Sequence, residues 1–598
     1  MVDSASLPPH EEYKRREQLR EVQEAQYERI HINLGYARLL LVVAALAVIW
    51  LSLYQHLFSI LWILLPVVAF IAIAIYHSAV LRKSSQAHLA IEVYRDGLAR
   101  IEDRWEGRNE RERRTDTAES LYAADLDLFG PGSLFELLCT ARTRMGEDAL
   151  AKWLLAPASP REIRERHAAL SELRGRLDLR EDLATTEGRL KIGVHPEELL
   201  LWAEDTSPPL QGWIRWIAPL FAVIAVATAI YWGYSGVRVP FLTVVLVEGI
   251  LTYALRKRID RIIGGTDRAL QNLQLVSSLI ARVEKESFHA AKLQALQTEF
   301  SSHHIPASQA IARLANLVQY INSLDNLFIK IVNIPLLYSV QVAFAVQLWR
   351  QRHGSAVRRW LFALGEMEAL ISIATYSYEH PSDPFPELVD GASSFTAQQL
   401  GHPLIPASKC VRNDITLDEQ TRALLISGSN MSGKSTLMRS VGVNTVLAMC
   451  GAPVRAQHLQ LTPLHVAASI LVNDSLHEGS SRFYAEIKRL RAICDLAEQH
   501  TPVLFLLDEL LQGTNSADRL IGAKGIVQAL IEGGAIGLIS THDLALTQIS
   551  QPGDHRLRNM HFQDSIEDGE MRFDFKLQEG VVTKSNGVEL MRLVGLKV

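Results

Sequence analysis

Two stretches of the chain carry no charge: residues 39–54, LLLVVAALAVIWLSLY, and residues 57–76, LFSILWILLPVVAFIAIAIY. Each is near the length of a bilayer-crossing helix, and only Gln55 and His56 separate them, so the pattern predicts a tight hairpin of two membrane-spanning helices. A second apolar pair follows at about 217–234 and 239–255. Glu248 falls in its second half, where an ionised carboxylate costs about 2.5–3.5 kcal/mol on insertion scales. Protonation, a hydrogen bond within the four-helix cluster, or a functional role would each accommodate it.

Elsewhere the apolar positions recur at helical spacing. Leu134, Leu137 and Leu138, then Leu150, Trp153 and Leu154, repeat at three and four residues, and Leu273, Val276, Ile280 and Val283 form another stripe. The apolar run 327–349 contains Lys330, Asn333, Gln341 and Gln347, which favours a buried lever helix over a fifth span. The N-terminal EEYKRREQLREVQEAQYERIHI reads as a solvated helix laced with opposite charges. Beyond the three-proline break SYEHPSDPFPELVDG the period changes: LLIS, VLFLLD and AIGLIST are short apolar runs that read as buried strands of a parallel sheet.

Chemistry gathers at the ends of those strands. The first runs into Gly428, Ser429, Asn430, Met431, Ser432, Gly433, Lys434, Ser435 and Thr436, the full spacing of a phosphate-binding P-loop. Glycines let backbone N–H groups close around phosphates, Lys434 neutralises β/γ charge, Ser435 ligates Mg²⁺, and the next segment supplies a helix N-terminus facing the anion. The second strand ends in Asp508-Glu509, as a Walker B element would: Asp508 holds Mg²⁺ and Glu509 polarises the attacking water as general base. The third ends in His542, placed where a γ-phosphate sensor or switch would sit. Three such clusters in this order predict an α/β sheet with its site at the carboxyl ends.

GSNMSGKSTLMR, LLDELLQGTNSADRL and STHD resemble the ATPase core of the MutS mismatch-repair family. GHPLIPASKCVRNDITLD resembles the strand that enters that domain and KSNGVELMRLVGL the segment that leaves it, so the likeness covers roughly 363–598. A weaker likeness at 125–174, with TRMGEDALAKWLL at its centre, is to the start of the family's core and lever region. The resemblance implies an ATPase that uses ATP and Mg²⁺, works as a head-to-tail homodimer and binds DNA. It also implies a Ser before Walker B that reaches the partner's nucleotide, a place that Ser481 takes in NDSLHEGSSRFYAEI.

Departures from the family are as informative. An aromatic that stacks on adenine there is replaced by Cys410, beside Val411 and Arg412 and just before Asn413-Asp414. The family's N-terminal mismatch-reading domain, with its Phe-x-Glu wedge, has no room ahead of the first apolar run, and Phe385-Pro386-Glu387 lies in the proline-rich linker. The family would continue past Val598 into a helix-turn-helix that locks the dimer; dimerisation is expected instead to be driven by nucleotide and aided by the membrane.

Charge sets the orientation. Arg29 and Arg38 precede the first hairpin, Arg82-Lys83 follow it and Arg256-Lys257-Arg258 follow the second, while the outer loops offer Arg238, so both hairpins enter from the cytoplasm. The expected location is the cell (inner) membrane, multi-pass, with the ATPase domain cytoplasmic. No cleavable signal peptide is visible. Cys139, Cys410, Cys450 and Cys494 lack CxxC spacing, which suits a reducing compartment and argues against a Cys/His metal site. A net charge of −5 gives no global basic field for nucleic acid, and Arg350, Arg352, Arg358 and Arg359 read as a solvated helix face.

The expected fold is therefore an α/β P-loop NTPase domain of the ABC/MutS type, preceded by an all-α core and lever region that two transmembrane helical hairpins interrupt. In order these are an N-terminal helix (1–38), hairpin 1 (39–77), a MutS-core-like region (84–212), hairpin 2 (213–255), lever helices (256–385) and the ATPase domain (386–598). Three function classes remain open: a membrane-anchored MutS-like ATPase coupled to DNA, an ATP-driven mechanical switch acting on a membrane or protein partner, and, least favoured, a transporter. Four short spans without a polar intramembrane pathway weigh against the last.

Overall fold

A computed structural model describes residues 7–53, 59–108, 120–186, 196–205, 209–263, 273–301, 305–323, 332–429, 431–470, 482–549, 555–567 and 570–582. The chain forms two compact units, one from 1–98, 141–147 and 176–368 and one from 99–140, 148–175 and 369–598, a division that cuts across the expected core and lever segments.

The first unit is helical. Helix α1 runs unbroken from Pro9 to Leu53, so the charged N-terminal segment and the first apolar run are one element. The second apolar run does not become α-helical at once. Ser59 caps a 3₁₀ turn, Ile60–Ile63, and α2 spans Leu64–Ile101; Gln55 and His56, where the hairpin turn is expected, lie outside the described residues. Pro66 explains the late start, because proline fits only the first turn of a helix. The second pair forms α3, Ile214–Ser235, ended by left-handed Gly236, and α4, Val239–Ile263. These four helices are long and apolar enough to cross a membrane. Much of their apolar surface faces outward, with Leu40 69% and Leu65 69% exposed.

Towards its N-terminus α1 is less solvated than its charges suggest. Arg95 of α2 pairs with Glu17 and Glu21, Arg16 with Asp178, and Arg20 with Glu181, so the charges tie helices together as well as facing water. Glu248 is fully buried, and neither carboxylate oxygen has a hydrogen-bond partner among the described residues. Helix α5, Leu273–Glu284, buries the predicted Leu273, Val276, Ile280 and Val283 stripe beside α6, Ala307–Asn322. Within 327–349, residues 332 onward are described, and α7, Tyr338–Glu379, buries Val340, Ala343 and Val346. Of the arginines of α7, Arg352, Arg358 and Arg359 are exposed as expected, with Arg358 paired to Glu204 and Arg359 to Glu299, whereas Arg350 is buried and pairs with Asp205. The solvated face thus holds for three of the four, and acidic partners offset the charge of two of these.

The second unit holds two sheets. A four-stranded sheet, in the order β1-β5-β2-β3, comprises β1 (Glu387–Leu388), β2 (Phe395–Leu400), β3 (Asn413–Leu417) and β5 (His458–Leu461). The larger sheet comprises β4 (Ala423–Ser427), β6 (His465–Ser469), β7 (Val503–Asp508), β8 (Ile536–Thr541), β9 (Leu557–Glu567) and β10 (Glu570–Glu579). Their order is β10-β9-β4-β8-β7-β6, parallel throughout except for the β9–β10 hairpin, so the expected parallel sheet is in fact mixed.

Both faces of β7 are covered, which is why its sequence is continuously apolar. Val503, Phe505 and Leu507 pack with Leu490 and Ile493 of α9, Arg482–Glu498, and with Val527 and Leu530 of α10, Ser516–Glu532. On the other face Leu506 meets α8, Lys434–Cys450, so closely that a Cβ on Gly442 would lie 2.7 Å from its Cδ1. Leu134, Leu137, Leu138, Leu150, Trp153 and Leu154 are all buried in helices Leu134–Leu138 and Arg144–Leu155. Buried Asp125 accepts from Ile470 N at 2.7 Å and pairs with Arg489, joining this segment to the α/β domain. Phe385 is half-buried with its ring 4.6 Å from that of His167, a packing contact.

Candidate functional site

Ser427 lies opposite Thr541 and Asp508 opposite Ser540 in the sheet, so β4, β7 and β8 deliver their following loops to one edge. Within the first of these loops Gly433 caps α8 with φ 101°, a left-handed conformation that glycine adopts without strain. A Cβ there would sit 3.1 Å from the Phe575 ring, and one on Gly428 would sit 2.8 Å from Ser432 Oγ. The left-handed φ at Gly433 thus favours glycine, and space is tight at both positions.

Lys434, buried at the start of α8, turns back into the loop and donates to the carbonyls of Gly428 at 2.8 Å and Ser429 at 2.7 Å. Burial pushes its pKa down, opposed by the negative charge of Asp508 and Glu509. The hydroxyls of Ser429 and Ser432 are buried without a partner among the described residues. Such groups are costly unless a ligand satisfies them, and phosphate oxygens are suitable acceptors. Met431 is 86% exposed at the loop tip, and Thr436 continues α8. Asn430 and Ser481 lie outside the described residues.

Ser435 Oγ donates to Asp508 Oδ2 at 2.6 Å, and Ser540 donates to the other carboxylate oxygen. A hydroxyl and a carboxylate in contact at the foot of this glycine-bounded loop form an all-oxygen donor pair that suits Mg²⁺. Glu509 follows with φ 52°, which turns it out of the strand, and its N–H donates to Ser540 O at 3.2 Å. Its side chain receives the amide of Gln512 and lies 3.3 Å from His542 Nδ1. The structure thus brings together Gly428, Ser429, Met431, Ser432, Gly433, Lys434, Ser435, Thr436, Asp508, Glu509 and His542.

Three neighbours escape a reading of the sequence. Ser540 and Gln512 stand two residues before His542 and three after Glu509, and only strand register and the tight turn show that they hold the two carboxylates. Phe575 is harder still. The β9–β10 register shifts between Phe573 and Leu577, and Phe575 has φ 53°. That irregularity turns its ring to Gly433, where it stays 39% exposed and 5.8 Å from the ring of Phe573. Asn413 pins the irregularity, donating to Phe575 O at 3.0 Å and accepting from Leu577 N at 2.9 Å.

A helical region followed by an α/β domain with mixed sheets is an architecture consistent with MutS domain V. Residues 424–597 match the family model of that name. The chain is 25% identical over 546 residues to the DNA mismatch repair protein msh3 of Aspergillus fumigatus, covering 80% of this chain and 47% of that protein. It is 34% identical over 203 residues to the endonuclease MutS2 of Thermus thermophilus, covering 33% of this chain and 25% of that one. With the DNA mismatch repair protein MutS of Lactococcus lactis it shares 33% identity over 218 residues, 35% of this chain and 26% of that one. These matches support the MutS family. The chain spans between a quarter and about half the length of these curated relatives.

Proposed function

We propose that this protein is a membrane-anchored, MutS-like ATPase that closes as a head-to-tail homodimer over two ATP molecules and couples that closure to DNA. The chief support is the convergence of Lys434, Ser435, Asp508, Glu509 and His542 at one sheet edge, beside two buried loop hydroxyls without partners. Gly428 to Thr436 would wrap the phosphates, with Lys434 exchanging its loop carbonyls for β/γ oxygens. Ser435 and Asp508 would hold Mg²⁺, with Ser540 fixing the second Asp508 oxygen. The ion supplies charge neutralisation on the phosphates when bound. Glu509, held between Gln512 and His542, would take the proton of the attacking water, and His542 would sense the γ-phosphate. Ser481 would act across the dimer on the partner's nucleotide. Exposed Met431, Tyr484, Ile521 and Leu544 in this domain offer apolar surface for closure.

Phe575 would supply the base platform that Cys410 cannot. Base–aromatic stacking contributes about 1–3 kcal/mol. Phe575→Ala is therefore expected to raise KM for ATP about five- to a hundredfold while lowering kcat little, and Phe575→Tyr to restore the wild-type KM. Equal KM values for ATP in wild type and Phe575→Ala would remove Phe575 from the nucleotide site.

The four apolar helices would anchor the protein in the cell membrane and keep the ATPase domain cytoplasmic. They also favour a second reading, an ATP-driven switch that acts on a membrane or protein partner without DNA. Turnover by nanodisc-held protein, with homoduplex, mismatched and branched DNA across a salt series, separates the two. Stimulation that falls steeply with salt is expected if DNA is gripped by its phosphates. Turnover indifferent to every DNA, in a preparation silenced by Glu509→Gln, would leave the second reading.

A further inference from the structure

Helices α1 and α2 carry many ion pairs near their water-exposed ends, yet between Glu28 and Glu92 the chain contains no Asp or Glu. That acid-free stretch holds Arg29, Arg38, Arg82 and Lys83. At its edge, where the apolar runs begin and end, three basic side chains converge. His31 Nδ1 lies 2.6 Å from His77 Nε2, and Arg38 Nη1 lies 3.0 Å from His77 Nδ1. The Arg38 guanidinium also lies over the Phe70 ring, 4.9 Å from its centroid.

Arginine can only donate, so His77 Nδ1 accepts, its Nε2–H donates to His31 Nδ1, and the Nε2–H of His31 is left over as a donor. Arg38 Nε is buried without a hydrogen-bond partner, and among the described residues no carboxylate pairs with Arg38, His31 or His77. Such a cluster has donors to spare and no acceptor of its own charge. Tyr36 and Tyr76, 70% and 57% exposed at the same level, are amphipathic residues of the kind found where a bilayer meets water.

We propose that Arg38, His31 and His77 form a binding site for the phosphate of an anionic phospholipid headgroup. Lys83 and Arg29, which lack partners among the described residues, extend its positive field. The site rests on the membrane reading of the first hairpin, because only insertion brings this level of α1 and α2 to the headgroups. A zwitterionic lipid carries its own cation and gains less from an acid-free cluster; each basic residue near a membrane surface is worth about a fivefold change in binding.

The test is native mass spectrometry of the full chain released from nanodiscs of mixed phosphatidylcholine and phosphatidylglycerol, after alkaline carbonate has shown that the protein stays in membranes. Wild type is expected to retain phosphatidylglycerol preferentially. Arg38→Gln and His77→Gln are each expected to lower that retention about fivefold with phosphatidylcholine unchanged, and Arg38→Lys to keep most of it. Equal retention of the two lipids, or of phosphatidylglycerol by wild type and both variants, would overturn the site. Displacement of the lipid by millimolar inorganic phosphate would reassign it to a soluble anion. Extraction of the protein by carbonate would instead overturn the membrane reading beneath it.

Discussion

Glu509→Gln is expected to bind ATP with near wild-type affinity, to lower turnover by about 10²–10⁴-fold, and to accumulate as a closed dimer in ATP. The substitution is nearly isosteric, and its amide can satisfy both neighbours: the carbonyl oxygen accepts from the Gln512 amide, and the NH₂ group faces His542 Nδ1. The positive φ that aims residue 509 at the sheet edge does not depend on charge. What disappears is the basic oxygen that, in the proposed mechanism, takes the proton of water. Single-turnover hydrolysis, with light scattering in ATP and in ADP, separates the chemical step from closure. Turnover within a fewfold of wild type would mean that Glu509 is not the general base.

The apolar pattern made the order of elements legible because burial and periodicity are local properties. The LLIS, VLFLLD and AIGLIST runs became the central strands, and the Leu273 to Val283 stripe became the buried face of α5. Less legible was whatever depends on where chains meet. Arg350 belongs to a run that reads as solvated, yet it is buried because Asp205, far off in sequence, is beside it. The 3₁₀ start of the second apolar run is likewise hard to read, because charge-free residues do not announce it and only Ser59 and Pro66 mark it. In the site, a glycine-lysine loop and a strand-end Asp-Glu pair are contiguous and so readable. Phe575 is brought to Gly433 only by a register shift late in the chain, and a period-2 alternation cannot say on which side of an irregular strand a residue will fall.

Lys434→Ala carries the larger consequence for binding. The ammonium sits among loop carbonyls at 2.7 and 2.8 Å, and in the proposed site it would neutralise phosphate charge. A hydrogen bond to a charged group is worth about 1.5–3 kcal/mol, so losing the two it would form with the β/γ oxygens should weaken ATP binding roughly 10²- to 10⁴-fold. Truncation also strips the Gly428 and Ser429 carbonyls of a donor, so a fall in binding could reflect a disordered loop. Lys434→Met, which keeps the apolar stem, and thermal unfolding of both variants address this. A ligand that binds only the folded state at a hundred times its Kd stabilises by about 2.7 kcal/mol. Wild type should therefore show a clear rise in Tm with ATP, and Lys434→Ala and Lys434→Met none, while all three unfold at similar temperatures without nucleotide. An undiminished ATP-induced shift in both variants would place the nucleotide elsewhere, and the roles given to Ser435, Asp508 and Glu509 would fall with it.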